Sequence, residues 1–211
     1  ARKKADFGNG IPSIPSNCLK DCDALTSITL GNKVSEIGSF AFYRAYHVKT
    51  RNLPSTLSSI GEGAFALTDR TLRMDENNEY FVFESGCLRG KDKKDLYFGN
   101  TKAVINHTVN HILPYAFYGN TGLNNLILPD SVETIGESAF AHSFLSSLVI
   151  PSSVRSMDSM AFAECERLTD ITYQGTKAEW NQIDFGDSVF SSIPAENVIC
   201  KDFVFDLIEE H

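Results

Sequence analysis

The chain has 211 residues, 42% of them hydrophobic, and 14 glycines bring the apolar share into the ordinary range of folded proteins, which excludes a disordered chain. With 19 basic and 27 acidic residues the net charge is -8, and no basic run exceeds Arg2-Lys3-Lys4, so nucleic acid is not an expected partner. No apolar run approaches the roughly 18 residues that span a bilayer, and Ala1 to Asp6 leads into no apolar stretch, so neither a membrane anchor nor a signal peptide is read in this chain.

Residues 1–17 are read as an N-terminal segment and partial cap. From residue 18 the sequence repeats itself. Ala-Phe occurs at Ala41-Phe42, Ala64-Phe65, Ala116-Phe117, Ala139-Phe140 and Ala161-Phe162, with the phenylalanines 23, 52, 23 and 22 residues apart, and Cys18-Leu19 stands one step upstream. A fixed period of this length predicts a stacked-repeat architecture. After the anchors come triplets such as Ile28-Thr29-Leu30, Arg51-Asn52-Leu53, Leu72-Arg73-Met74, Leu126-Ile127-Leu128, Leu148-Val149-Ile150 and Ile171-Thr172-Tyr173. Each is too short for a helix and alternates as a strand does, with the outer side chains on one face and the middle one on the other. Pro54, Pro129 and Pro151 close their strands, because proline has no N–H to give a ladder. Ile-Gly steps at Ile37, Ile60 and Ile135, with Met157-Asp158 in the same place, predict a second corner, and the Ala-Phe segment predicts a short helical turn packed inside. One such unit has an apolar face and nothing to cover it, so neighbours must stack into a solenoid with a parallel sheet on one side.

Two inward rows mark the stacking. The residue before each anchor is Cys18, Ala41, Ala64, Ala116, Ala139 or Ala161, and the residue three after it is Cys22, Ala45, Thr68, Asn120, Ser143 or Cys165. Coils about 4.8 Å apart leave little room at such positions. The interval of 52 between Phe65 and Phe117 predicts an elaborated coil over residues 75–98, a protruding hairpin whose turn is the charged run Lys91 to Asp95, before Ala103-Val104-Ile105 resumes the triplet. Residues 18–173 therefore form the solenoid, and residues 174–211 are read as a C-terminal cap and tail. That cap holds a Thr176-x-x-Glu179 capping box, which starts a helix carrying Trp180.

These residues resemble the BspA-like leucine-rich-repeat family. The likeness rests on Ile-Pro-x-Ser-Val-x-x-Ile-Gly-x-x-Ala-Phe, clearest from Leu128 to Phe140 and again, with Met157-Asp158 replacing Ile-Gly, from Ile150 to Phe162. Residues 75–98 resemble the family's variant repeat at Asn78, Gly86, Leu88, Lys91-Asp92 and Leu96, and Gly175 to Cys200 resembles its terminal repeat. Arg51, Met157-Asp158 and Leu113 depart from the pattern. The resemblance implies an α/β leucine-rich-repeat solenoid, a right-handed coil with a parallel β-sheet on one face and short helical or irregular turns on the other. It also implies an exported or surface-displayed bacterial protein, with adhesion to host or neighbouring-cell proteins or glycans as the family's recurrent role.

No catalytic or metal constellation is expected, and neither is a cofactor. His107 and His111 stand four apart on an extended segment without acidic or cysteine partners at ligand spacing, and are read as solvated or packed histidines. Gly-x-Ser-x-Gly, a glycine-rich phosphate loop and His-Glu-x-x-His are absent, so the protein is read as a non-enzyme. Asn106-His107-Thr108 is a formal glycosylation sequon without expected meaning in a bacterial protein. Five cysteines leave at least one thiol unpaired within a chain; buried free thiols are expected, with a Cys18–Cys22 bridge as the rival. The middle residues of the strands, Thr29, Asn52, Arg73, Tyr97, Val104, Ile127, Val149 and Thr172, predict a solvent-facing row whose stretch from Tyr97 to Val149 is apolar. An apolar stripe rimmed by polar groups can mark a docking surface, with Arg73, Tyr97, Val104, Ile127 and Val149 as its candidate binding residues; the competing reading is that β-branched residues merely suit a strand. A monomer binding a protein or glycan is the leading expectation, and a spacer that holds other domains apart without a ligand of its own is the alternative.

Overall fold

The computed structural model describes residues 3–48, 51–68 and 72–207; Arg2 and the tail residues 208–211 lie outside the described residues. The first strands in chain order are β1 (Lys4–Asp6), β2 (Ser13–Ile14), β3 (Ser27–Thr29), β4 (Glu36–Ile37), β5 (Arg51–Leu53), β6 (Ser59–Ile60) and β7 (Leu72–Met74). Then follow β8 (Phe81–Glu84), β9 (Cys87–Gly90), β10 (Asp95–Gly99), β11 (His111–Ile112), β12 (Asn125–Ile127), β13 (Thr134–Ile135), β14 (Ser147–Ile150), β15 (Ser156–Met157) and β16 (Asp170–Tyr173). The helix α1 (Lys177–Trp180) precedes β17 (Asp184–Phe185), β18 (Asn197–Ile199) and β19 (Val204–Asp206). The fold is a β-solenoid of about eight coils, mostly sheet and with little helix.

Each regular coil builds three walls. The triplet makes the first, in parallel register with its neighbours: β12, β14, β16 and β18 stack in order, and β19 closes the far edge antiparallel. The Ser-Ile or Thr-Ile step makes the second, where β11, β13, β15 and β17 pair in parallel. Here Ile14 and Ile37 in one sheet, and Ile112, Ile135 and Met157 in another, take the same buried place, so Met157 fills the place of an isoleucine without disturbing the coil. Serine hydroxyls reinforce the step: Ser35 donates to the Pro12 carbonyl and Ser58 to that of Ser35, each 23 residues earlier.

The Ala-Phe segment makes the third wall, and of the two expected forms of turn it takes the irregular one. The residues two before and two after the anchor are left-handed, as at Phe40 and Arg44 (φ 56° and 57°), Ser138 and His142, and Met160 and Glu164, with Gly63 and Gly119 in equivalent places. This alternation aims successive N–H groups in two directions. The N–H groups of Phe40, Phe42 and Arg44 donate to Glu62, Ala64 and Ala66 of the next coil, whereas those of Ala41, Tyr43 and Ala45 turn back three residues. The same donation to the next coil recurs from Asn17, Leu19 and Asp21, from Tyr115, Phe117 and Gly119, from Ser138, Phe140 and His142, and from Met160, Phe162 and Glu164. Inside this wall the anchor rings stack, with Phe117, Phe140 and Phe162 4.9 and 5.1 Å apart and parallel to within 3°.

Within residues 75–98 and just beyond, the strands β8, β9 and β10 run antiparallel as a flap that joins the second wall beside β11. Asn78, buried, ties this flap to the coil below. Its amide donates to the carbonyls of Pro54, Ser55 and Leu57 and accepts from the N–H groups of Tyr80 and Phe81. Phe98 packs against Phe65 at 6.2 Å, and the Gly99 N–H gives Ala116 the bond that an anchor phenylalanine gives in a regular coil. Ala103-Val104-Ile105 does not form a strand; the Val104 N–H instead donates to Ser85 on the flap.

Both ends hold coil as well as cap. β1 and β2 pair in parallel with β3 and β4, so coil structure starts upstream of residue 18. At the other end the capping box of α1 is complete, Thr176 and Glu179 each accepting from the other's backbone N–H. Beyond it, β17 and β18 extend the second and first walls, and Phe190 stacks 5.6 Å from Phe162.

Candidate functional site

Along β12, β14, β16, β18 and β19 the side chains alternate between core and solvent. Leu126, Leu148, Ile171, Val198 and Phe205 are buried. Between them, Ile127, Val149, Thr172, Ile199 and Val204 are Cα partners in one continuous row across the sheet. Ile127 is 69% exposed, and Ile199 and Val204 are 53% exposed each. All five are β-branched, which suits a strand, but three well-exposed aliphatic side chains, with half-buried Val149 and the Thr172 methyl between them, make a row that is more than strand propensity requires. A polar row, Asn125, Ser147, Asp170 and Asn197, runs beside it; Ser147 Oγ donates to Asn125 Oδ1 at 2.8 Å.

The structure brings Ile127 and Val149 side by side but disperses the other expected site residues. Arg73 is exposed on β7, whose partner is β5 in a separate two-stranded sheet. Tyr97 lies on β10 in the second wall, half-buried and edge-on to Phe81 at 5.2 Å, and burial pushes its phenol above the usual value. Val104 is 63% exposed and outside any strand, its carbonyl accepting from Cys87 Sγ at 3.5 Å. Ile199 and Val204 were not anticipated. Asn197-Val198-Ile199 carries the pattern of Asn125-Leu126-Ile127, a signal hidden by reading this region as a cap.

A second unanticipated surface lies on the turn wall. Phe40 meets Tyr115 edge-on at 4.9 Å across Gly63, where a Cβ would come within 2.6 Å of the Phe40 ring. Tyr118 lies between Tyr43 and His142, 6.1 and 5.1 Å away, and burial raises its phenol pKa. The legible signal was aromatic-Ala-Phe-Tyr, present at Phe40 to Tyr43 and again at Tyr115 to Tyr118.

Among the described residues no group of three or more His, Cys, Asp or Glu side chains converges as a metal site, and no helix is long and apolar enough to cross a membrane. His107 is exposed, with Nδ1 3.0 Å from Asp130, and His111 Nδ1 lies 3.0 Å from Thr134 Oγ1. Asn106 of the sequon accepts from buried Arg89, which also pairs with Glu84. The five cysteines are free thiols; Cys87, Cys165 and Cys200 are buried, Cys22 is half-buried and Cys18 is exposed. Burial pushes the Cys87 thiol up to about 11.

A family model described as a BspA type leucine rich repeat region in 6 copies matches residues 2–102 and 94–208. Among solved structures, the pneumococcal vaccine antigen PcpA superposes with a TM-score of 0.82 at 21% identity, covering 94% of this chain and 50% of that one. A leucine rich cell surface protein of Faecalibacterium prausnitzii A2-165 gives 0.58 at 20% identity, covering 86% and 62%. A leucine-rich repeat protein of Bacteroides ovatus ATCC 8483 gives 0.56 at 20%, covering 92% and 48%. At these identities the likeness is one of fold, and the chain spans about half to three-fifths of those lengths. No curated protein matches the chain significantly.

Proposed function

Because this chain belongs to the BspA-type leucine-rich-repeat family, we propose that it is a non-enzymatic binding module of the bacterial cell surface that holds a protein partner, on a host or a neighbouring cell, against its five-stranded sheet. The observation that carries this reading is the unbroken row Ile127, Val149, Thr172, Ile199 and Val204. Its aliphatic members on either side of Thr172 and its polar flank have the make-up of a protein interface rather than of a sugar site, which would ask for exposed aromatic faces beside hydrogen-bonding side chains. The surface location draws support from the Faecalibacterium protein, which is described as a cell surface protein.

A binding screen against extracellular-matrix proteins, plasma proteins and glycans tests it. Replacing Ile127 and Val149 together with glutamate leaves the inward residues untouched and is expected to weaken capture of the protein ligand at least about tenfold, the effect of desolvating charge in an interface core. Undiminished affinity would move the site elsewhere, and a screen without any ligand would favour a spacer role.

A further inference from the structure

The turn wall gathers aromatic rings at one place, in a pattern that the repeat itself does not ask for. Two positions beside each anchor phenylalanine, two before it and one after it, hold Ser138 and Ala141, Met160 and Ala163, or Ser188 and Ser191 in the later coils, and Gly63 and Ala66 beside Phe65. Beside Phe42 they hold Phe40 and Tyr43, and beside Phe117 they hold Tyr115 and Tyr118. No Ala-Phe turn stands between Phe65 and Phe117, so these rings close over Gly63 into an array in which each touches two others. Their centroids lie 5.7 Å apart for Phe40 and Tyr43, 4.9 Å for Phe40 and Tyr115, 5.6 Å for Tyr115 and Tyr118, and 6.1 Å for Tyr43 and Tyr118. Bridging the coils on either side of the flap explains the contacts among the rings. It does not require all four to stay half-buried and to line one cleft of about 320 Å³, a volume within the range of small-ligand sites.

We infer that this cleft is a second binding site, distinct from the sheet face, for a neutral sugar ring of a glycan. The polar groups on its rim decide the chemistry of the ligand. Lys20 brings its ammonium to 5.3 Å from the Tyr43 ring centroid, and exposed Glu137 accepts from the Tyr115 hydroxyl at 3.1 Å. His142 packs edge-on to Tyr118 at 5.1 Å, with a Glu164 carboxylate oxygen 3.6 Å from its Nδ1. A quaternary ammonium, the usual occupant of an aromatic box, would meet the Lys20 ammonium already placed on one ring. An anion would meet the Glu137 carboxylate, and an apolar peptide would take both charges out of water without giving them partners. A sugar ring suits all of these groups. Its C–H face packs on the rings and on Met160, 41% exposed at the same cleft, while its hydroxyls, each both donor and acceptor, serve Glu137 and Lys20 together. These are the aromatic faces beside hydrogen-bonding side chains that the sheet face lacks.

Four neutral sugars serve as probes: lactose and N-acetyllactosamine, galactose-ended as on animal cell surfaces, and a rhamnose disaccharide and a glucose disaccharide, as in bacterial polysaccharides. Each is titrated into the 211-residue protein and followed through the protein's amide shifts and the sugar's own proton shifts. Saturable binding of at least one is expected, with the largest amide shifts at Tyr43, Tyr118 and His142 and with sugar C–H protons moved upfield by the ring currents. The pair that binds more tightly tells an animal source from a bacterial one. Glu137→Ala, at an exposed position, is expected to weaken binding about tenfold while leaving the urea midpoint unchanged. Tyr43→Leu, whose melt is recorded beside it, should weaken binding as well and remove the upfield shifts. The protein carrying glutamate at positions 127 and 149 should bind the sugar as the unaltered one does, which separates this site from the sheet face. Absence of saturation by all four at high-millimolar concentration, shifts centred elsewhere, or affinity indifferent to Glu137→Ala would overturn the inference.

Discussion

Buried polar and small residues in this protein are placed by backbone demand. Asn78 is one of few buried polar side chains, and one amide there serves three carbonyls and two N–H groups that the interrupted coil would leave unpaired. Asn120 does the same one coil after the flap, donating to Gly99 and Asn100 and accepting from Gly122 and Leu123, which explains why the row of small residues contains an asparagine. Gly99 has no side chain because a Cβ there would overlap the Phe117 ring. Cys87 makes a prediction at this scale. Its thiol titrates near 11 in the fold against an ordinary 9.0, chiefly through burial. The neutral form is therefore favoured when folded: its stabilisation is complete below about pH 9 and is lost as the pH rises toward 11. Denaturant melts across that window should show a decline of about 2 kcal/mol that is missing from Cys87→Ala.

Among the elements, the stacked rings hold the coils in register. Phe140 lies between Phe117 and Phe162, nearly parallel to both, and is fully buried beside Ala139. Each ring is both a large apolar volume and a spacer that fixes its neighbours. Phe140→Ala is expected to cost about 3–5 kcal/mol in urea melts, more than the same change at Phe190, which also has two ring neighbours, Phe162 and Trp180, but is only half-buried. Equal losses at both positions would show that depth of burial does not set the cost.

As a whole the molecule has two hydrophobic clusters rather than one among its described residues. The N-terminal cluster runs from Ile14 to Phe98 and the C-terminal one from Cys87 to Phe205. They meet at the flap, where β9 supplies Cys87 to one and Leu88 to the other, and a register shift between Leu96 and Phe98 divides β10 likewise. A solenoid gains stability from nearest neighbours, so a change of partner at one coil weakens cooperativity there. Native-state hydrogen exchange should resolve two opening units, amides of residues 12–66 exchanging together and those of residues 112–199 together at a different free energy. One common opening energy for both would refute this division.

Period, strand triplets, the elaborated coil and the helix cap were legible because each is local: an alternating triplet, a proline or a capping box acts through its own neighbours in the chain. Ile127 and Val149 were legible for the same reason, since their partnership follows from the period. The irregular form of the Ala-Phe turn was not, because its left-handed residues, such as Phe40, Met160 and Glu164, are imposed by hydrogen bonds to the next coil. Nor was the fate of Tyr97 and Val104, which the antiparallel flap carries out of the expected row, or the addition of Ile199 and Val204 to it. The sequence alone determined that coils of this kind stack; only the tertiary structure decided which side chains share a surface, because that depends on pairing between segments that the period does not order.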